Sequence, residues 1–227
     1  MADTLQEGIR LYIQGKYREA LTVLLSLDSP SDDEASLEIA YYIGLTYVRL
    51  KRYDDALIYL EQVVTTSKNE KRLEQCRLTL AVLYNFTGRK NLAEHEINEL
   101  VENGNDSAGV YCTRAFMNWE QGNRQQAIDD YEKALSINPE SPTALNGLGY
   151  VLACQERELT RALSLCKKAV DLVPNSAACL DSLGWVYYML GLDKEAKNYI
   201  TRAHSYDTNS KDIAEHYALV MQGGATL

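Results

Sequence analysis

The three histidines are the side chains of this sequence with the greatest potential for acid–base or metal chemistry. No two of His95, His204 and His216 lie within one helical turn of each other, as a pair of histidine ligands on a helix would. His95 is flanked by Glu94 and Glu96, but adjacent residues of a helix point in different directions. We therefore expect no metal site, and we interpret the histidines as solvated or helix-capping side chains.

Cysteine is the other residue type that could act chemically, as a nucleophile or a ligand. The five cysteines form no C-x-x-C pair, and they are Cys76, Cys112, Cys154, Cys166 and Cys179. An odd number at irregular spacing favours reduced, buried and inert thiols. The sequence also contains no G-x-x-x-x-G-K-[ST] or G-x-G-x-x-G loop for a nucleotide. We accordingly predict a protein that is not an enzyme and holds no cofactor.

Composition limits the partners of the chain. The formal net charge of its 227 residues is −9, which argues against nucleic acid because phosphate binding requires clustered Lys and Arg. Sixteen tyrosines stand against two phenylalanines, and tyrosine suits half-buried faces and binding surfaces.

The N-terminus, MADTLQEGIR, has neither the basic start nor the apolar stretch of a secretory signal. No apolar run approaches the ~20 residues of a membrane-spanning helix. We expect a cytoplasmic protein without membrane insertion. A periplasmic or envelope-associated location is the alternative if a signal sequence has been removed.

The elements that must position these side chains repeat along the chain. The apolar periodicity is helical, and one alanine recurs in similar segments such as GKYREALTVL and GNRQQAIDDY. These alanines, spaced 36, 37, 34, 35 and 34 residues apart, are Ala20, Ala56, Ala93, Ala127, Ala162 and Ala196. Upstream of each is a small residue on the preceding helix, namely Gly8, Gly44, Ala81, Ala115, Gly149 and Gly184. Small residues at these places let two helices cross closely, while bulky neighbours fill the gaps between stacked units.

This pattern resembles the tetratricopeptide repeat, whose signature is W-x2-L-G-x2-Y followed by A-x3-F and P. The fifth and sixth repeats, LNGLGYVLA and LDSLGWVYYMLG, resemble bacterial members in particular. The resemblance implies an all-α, right-handed α-solenoid in a single array over residues 1–222. Its six repeats are expected at 1–36, 37–73, 74–107, 108–141, 142–176 and 177–210, before a capping helix at 211–222 and a flexible tail at 223–227. Arg77 and Arg114 depart from the family pattern where apolar residues are usual, and Lys51 replaces a turn glycine.

The resemblance also implies a concave surface lined by the first helix of each repeat. Aromatic and amide side chains there are suited to peptide recognition, because apolar anchors supply binding energy and amides hold the backbone. The residues assigned to this surface are Tyr12, Tyr41, Leu45, Val82, Asn85, Phe86, Phe116, Trp119, Asn146, Tyr150, Asp181, Trp185 and Tyr188. The alternative for any one of them is packing against the neighbouring repeat.

The expected partner is a protein or peptide. Related modules clamp carboxylates with Lys and Asn, but Leu5, Ile9, Tyr41 and Leu45 stand at those places. An apolar or amphipathic segment is therefore the preferred ligand, with a basic group near Asp181 and Glu215. Two alternatives remain open: self-assembly into a homo-oligomer, and an accessory domain of a larger complex.

Overall fold

The computed structural model describes residues 2–27 and 33–222, and within these ranges the chain forms thirteen α-helices and no strand. The helices are α1 (Ala2–Ile13), α2 (Tyr17–Leu25), α3 (Asp33–Arg49), α4 (Tyr53–Thr66), α5 (Glu70–Phe86), α6 (Lys90–Glu102), α7 (Ala108–Glu120), α8 (Arg124–Ile137), α9 (Pro142–Cys154), α10 (Leu159–Leu172), α11 (Ala177–Met189), α12 (Asp193–Tyr206) and α13 (Lys211–Met221). The predicted all-α helical repeat is confirmed. The tail at 223–227 lies outside the described residues.

Consecutive helices pack as pairs, α1 with α2 through to α11 with α12. The connections inside a pair are short, so the two helices run antiparallel. All six repeated alanines lie on the second helices and are 0% exposed. The odd-numbered helices from α1 to α11 are the predicted first helices, and α13 is the capping helix.

Close helix crossing explains the small residues on the first helices. An ideal Cβ added to Gly8 would lie 2.6 Å from Leu24 Cδ2, and one added to Gly44 would lie 2.8 Å from Leu60 Cγ. Carbon atoms in contact are ordinarily about 3.5–4.0 Å apart. A larger residue at either place would therefore push the two helices of its pair apart.

Contacts divide the chain into two compact units, residues 1–105 and 106–227. The first contains α1 to α6, and the second contains α7 to α13. The single array over 1–222 and its right-handed superhelix stay predictions.

Serine N-caps begin the three first helices of the second unit and its capping helix α13. The side chains of Ser107, Ser141, Ser176 and Ser210 each accept a hydrogen bond from a backbone N–H three residues on. Such a cap satisfies one of the backbone donors that a helix leaves unpaired at its start. In the second unit, α9 also packs on α7 and α11, and α11 packs on α13. The first helices of this unit therefore lie side by side.

The two arginines that depart from the family pattern are held by carboxylates on the second helix of their own repeat. Arg77 lies 2.7 Å from Glu96, which is 8% exposed. Arg114 makes two hydrogen bonds to Asp130, of 3.0 and 2.5 Å, and Asp130 is 7% exposed. Because a buried charge requires a partner of opposite charge, each arginine packs together with its carboxylate as an ion pair.

Candidate functional site

A cavity of about 420 Å³ opens beside the first helices of the second unit. Five of the predicted surface residues line it, namely Phe116, Trp119, Asn146, Tyr150 and Asp181. They come from α7, α9 and α11, and α13 adds Asp212, Ile213 and His216. We call this cavity the α7–α13 pocket. It brings together residues that lie about one repeat apart in the sequence.

Tyr131 of α8 also lines the pocket, where it packs against α9. Its ring packs against Gly147, where an added Cβ would lie 2.7 Å from the phenol oxygen. Burial raises the pKa of the Tyr131 hydroxyl, since the charged phenolate is disfavoured away from water. Gly147 therefore leaves room for a neutral phenol ring that holds α9 in place.

The most buried polar contact of the pocket joins Asp181 to His216. Asp181 Oδ2 and His216 Nδ1 are 2.8 Å apart, and the two residues are 6% and 8% exposed. An ionised carboxylate can only accept, so Nδ1 carries the hydrogen and donates it. Our interpretation of His216 as a solvated or capping side chain is thus wrong, because a period of 35 residues places it against a carboxylate in the interior.

Neither of the other two histidines lines the pocket. His95 is exposed, and His204 is half-buried with its ring stacked on Tyr217, 4.7 Å between centroids. Glu215, which we expected near Asp181, is exposed and lies 3.6 Å from Lys211. The sequence signal that could have identified His216 is its distance of one repeat from Asp181.

Aromatic rings form a continuous cluster around this pair. Trp185 stacks on His216 with 4.3 Å between ring centroids, and Tyr188 lies 5.2 Å from Trp185. Tyr150 lies 5.9 Å from His216 and meets Trp119 edge-to-face at 6.1 Å. Trp119 and Tyr150 line the pocket, whereas Trp185 and Tyr188 pack behind His216.

Burial also changes the acid–base properties of Tyr150. It strongly raises the pKa of the Tyr150 hydroxyl, and the neighbouring Cys154 raises it further. Tyr150 is therefore a neutral ring with a polar tip at neutral pH.

Two acceptor atoms of the pocket have no hydrogen-bond partner among the described residues. They are Asn146 Oδ1 and Asp181 Oδ1, and both are buried. A buried acceptor without a partner costs roughly 1–3 kcal/mol, so such groups call for an explanation. Both atoms belong to residues that line the pocket. A ligand with hydrogen-bond donors would satisfy them.

The charge of the lining is negative. Glu120, Asp207 and Asp212 line the pocket together with Asp181, whereas no Lys or Arg does. Burial raises the pKa of Glu120, and the charge of Asp212 raises it further. Two carboxylates that repel each other favour a ligand of opposite charge.

The predicted surface residues of the first unit are arranged differently. The Tyr41 hydroxyl donates to Gln75 Oε1 at 2.8 Å, so it is used in joining α3 to α5. Phe86 is 55% exposed and stacks on Tyr53 at 6.2 Å, beside the start of α4. Tyr12 lies 6.0 Å from the Tyr42 ring. Leu45, Val82 and Asn85 are half-buried.

A smaller cavity of about 160 Å³ lies beside Tyr41 in the first unit. Arg72 lines it but already lies 2.7 Å from Glu34 and 3.8 Å from Glu38. Because it is smaller and its arginine is already paired with carboxylates, this cavity makes a weaker candidate than the α7–α13 pocket.

Burial raises the pKa of the cysteine thiols, to about 12 for Cys76 and to about 11 for Cys112. The thiolate is the reactive form, so both groups are unreactive near neutral pH. In the described part of the chain, no three His, Cys, Asp or Glu side chains form a group that could hold a metal ion. None of the described helices has the length and hydropathy to span a membrane.

The chain is similar to proteins from several kingdoms. Human protein O-mannosyl-transferase TMTC1 is 27% identical over 184 residues, which are 80% of this chain and 20% of that protein. TPR repeat-containing protein PA4667 of Pseudomonas aeruginosa is 31% identical over 98 residues, 43% of this chain and 17% of that protein. The chain thus spans about a fifth or less of the length of these relatives.

A crystal structure of a tetratricopeptide repeat protein from Parabacteroides merdae has the same fold, with a TM-score of 0.77 and 18% identity. The match covers 97% of this chain and 84% of that one. Family models described as tetratricopeptide repeat match residues 37–70 and 118–177. Helix pairs of the same period lie on either side of these segments, and the two matched segments are the part of the chain that is similar to the tetratricopeptide repeat family.

Proposed function

We propose that this protein is a non-catalytic scaffold that binds an apolar or amphipathic peptide or helix of a partner protein. The single observation that carries the proposal is the α7–α13 pocket, where two aromatic rings adjoin two buried acceptors without partners. Aromatic side chains in partly desolvated pockets are typical anchors of protein interfaces. The acceptors, Asn146 Oδ1 and Asp181 Oδ1, would receive N–H groups of the bound segment.

Tetratricopeptide repeats generally mediate interactions between proteins, and the two segments that match this family support the coarse part of the proposal. The transferase named among the relatives is about five times longer than the matched segment, which covers 20% of it. Its activity is therefore no guide to this chain.

Peptide display against the immobilised protein tests the proposal. Segments selected by the native protein are made synthetically, and their dissociation constants are measured for the native protein and for the double variant Trp119→Ala/Tyr150→Ala. We expect the double variant to lose at least roughly thirtyfold in affinity, the size of a typical hot-spot effect.

Tyr206→Ala is the matched control, since Tyr206 is 54% exposed on α12 and does not line the pocket. It should bind as the native protein does. Circular dichroism and thermal unfolding establish that each variant is folded. Equal affinity of the folded double variant and the native protein would refute the proposal.

Self-assembly remains the alternative, and it predicts a mass that rises with concentration. Light scattering over a hundredfold range of concentration separates the two. A mass that stays at that of one chain excludes self-assembly, whereas an oligomer that the Trp119→Ala/Tyr150→Ala variant cannot form would favour it.

A further inference from the structure

The α7–α13 pocket presents a hydrogen-bond acceptor on each of the helices α7, α9, α11 and α13. Glu120 ends α7, Asn146 lies in α9, Asp181 in α11 and Asp212 in the first turn of α13. Asp207, directly after α12, adds a further carboxylate. A ligand that satisfies these groups must offer several donors that diverge in direction.

The burial and hydrogen bonding of the Asp181 carboxylate point most directly to a ligand. Its side chain is 8% exposed, and one of its two oxygens is bonded to His216 while the other has no partner in the described structure. A buried carboxylate with only one of its two oxygens hydrogen-bonded is destabilising, because the other oxygen has lost its bonds to water without gaining a charge-assisted hydrogen bond. Asp181 itself lines the pocket, and none of the described residues of the lining is Lys or Arg.

One cation of the second unit lies close to a ring of the pocket without lining the pocket itself. The Arg124 guanidinium lies over the Trp119 ring, 5.7 Å from its centroid, and Arg124 is not a lining residue. Its position shows that the Trp119 ring accepts a guanidinium on one face. His216, the lining residue that could become cationic, already bonds to Asp181.

We propose that the α7–α13 pocket binds the guanidinium group of an arginine side chain carried by the partner's peptide. This inference rests on the proposed function and names the chemistry of its ligand. A guanidinium offers five N–H donors in one plane, enough for the unpaired Oδ1 atoms of both Asp181 and Asn146. Its flat face stacks on aromatic rings, and Trp119 and Tyr150 supply these at the pocket wall. A lysine ammonium is a compact point charge with three donors and no flat face to stack on the aromatic rings.

The two tryptophans of the chain make a sensitive reporter, because the protein has only these two indole N–H signals in a nitrogen-edited NMR spectrum. Trp119 lines the pocket, and Trp185 stacks on His216 at its edge. The signals are assigned with Trp119→Phe and Trp185→Phe. The probe is Nα-acetyl-arginine N-methylamide, compared with the citrulline analogue, which has nearly the same shape without the charge, and with the lysine analogue.

We expect saturable shifts of both indole signals with the arginine probe, and at least tenfold weaker binding of the citrulline and lysine probes. Asp181→Asn should weaken arginine binding at least tenfold. Asp171→Asn, which removes the same charge from an exposed position of α10, should leave it unchanged. If Asp181→Asn does not fold, Glu120→Gln/Asp212→Asn changes two exposed lining residues and should weaken binding at least threefold.

Citrulline binding as tight as arginine binding would overturn the inference, as would unchanged arginine affinity in either folded pocket variant. These outcomes are distinguishable from failure of the proposed function. If displayed peptides lack arginine but still require Trp119 and Tyr150, the scaffold function stands and the arginine site falls.

Discussion

The crossing of α11 and α12 at Gly184 allows a quantitative test of the repeat packing, since α11 carries Asp181 into the pocket. An ideal Cβ at Gly184 would lie 2.6 Å from Ile200 Cγ1, 2.9 Å from its Cδ1 and 3.0 Å from its backbone nitrogen. Overpacking of this kind costs about 1–3 kcal/mol, and a backbone atom cannot move as a side chain can. Alanine gains back about 1 kcal/mol from helix propensity. With an overpacking cost of about 3 kcal/mol, the upper end of this range, and a gain of about 1 kcal/mol from helix propensity, we expect Gly184→Ala to lower the free energy of unfolding by about 2 kcal/mol.

A double-mutant cycle assigns this loss to the contact with Ile200. Ile200 is 0% exposed, so Ile200→Ala alone should cost about 2–5 kcal/mol. In that background only the contact with the backbone nitrogen of residue 200 remains, and the gain of about 1 kcal/mol in helix propensity offsets it, so Gly184→Ala should become neutral to within about 0.5 kcal/mol. The expected coupling energy is thus about 2 kcal/mol, within the range seen for residues in contact.

Urea unfolding followed by circular dichroism supplies the four free energies of the cycle. Ala115→Gly is the reverse substitution at the same place of another repeat, where Ala115 is 0% exposed. It should destabilise the protein by about 1 kcal/mol or more through helix propensity. Additive effects of Gly184→Ala and Ile200→Ala would show that close crossing does not select glycine here.

Further predictions concern the ion pairs, the turns and the tyrosines. Asp130→Ala leaves Arg114 without its buried acceptor and should cost about 3 kcal/mol in urea unfolding; a loss under about 1 kcal/mol would contradict the packing role of the pair. Lys51 has a φ of +59°, so Lys51→Gly should raise stability by about 1 kcal/mol, and an unchanged melting temperature would count against backbone strain at this turn. Burial raises the pKa of Tyr131 and Tyr150 above their unfolded values, so the stability they contribute is present below about pH 10 and is lost as the pH rises. An alkaline titration followed by phenolate absorbance should therefore show a group of tyrosines that ionises only when the protein unfolds. Ionisation of all tyrosines in a single step while the protein is still folded would refute this.

The helical architecture was accessible from the sequence because it depends on local and periodic features. The alanines of the second helices recur at 34 to 37 residues, and all six are buried as a crossing requires. The serine caps, such as Ser141 before Pro142, mark helix starts by the same local logic. Helices α3 and α5 begin about a turn before the repeat starts expected at 37 and 74, because flanking residues extend a helix whose core pattern starts later.

The two arginines that depart from the repeat signature show where the sequence pattern was insufficient. Arg77 and Arg114 were recognisable as exceptions, but the carboxylates that pair with them could not be predicted. Glu96 and Asp130 lie 19 and 16 residues further on, on helices with several other acids. Which acid meets which arginine depends on the rotation of each helix about its axis.

The sequence by itself determined the helix pairs, their period, the glycines at their crossings and the set of aromatic residues on the first helices. Only the tertiary structure decided which of these residues share a pocket. Trp119, Tyr150 and Asp181 line one cavity, whereas Trp185 stacks behind His216. The physical reason is that a helix rotation of about 30° moves a side-chain tip by about 3 Å, and periodicity does not encode the rotation to that precision. The contact between Asp181 and His216 therefore became visible only when α11 and α13 were packed together.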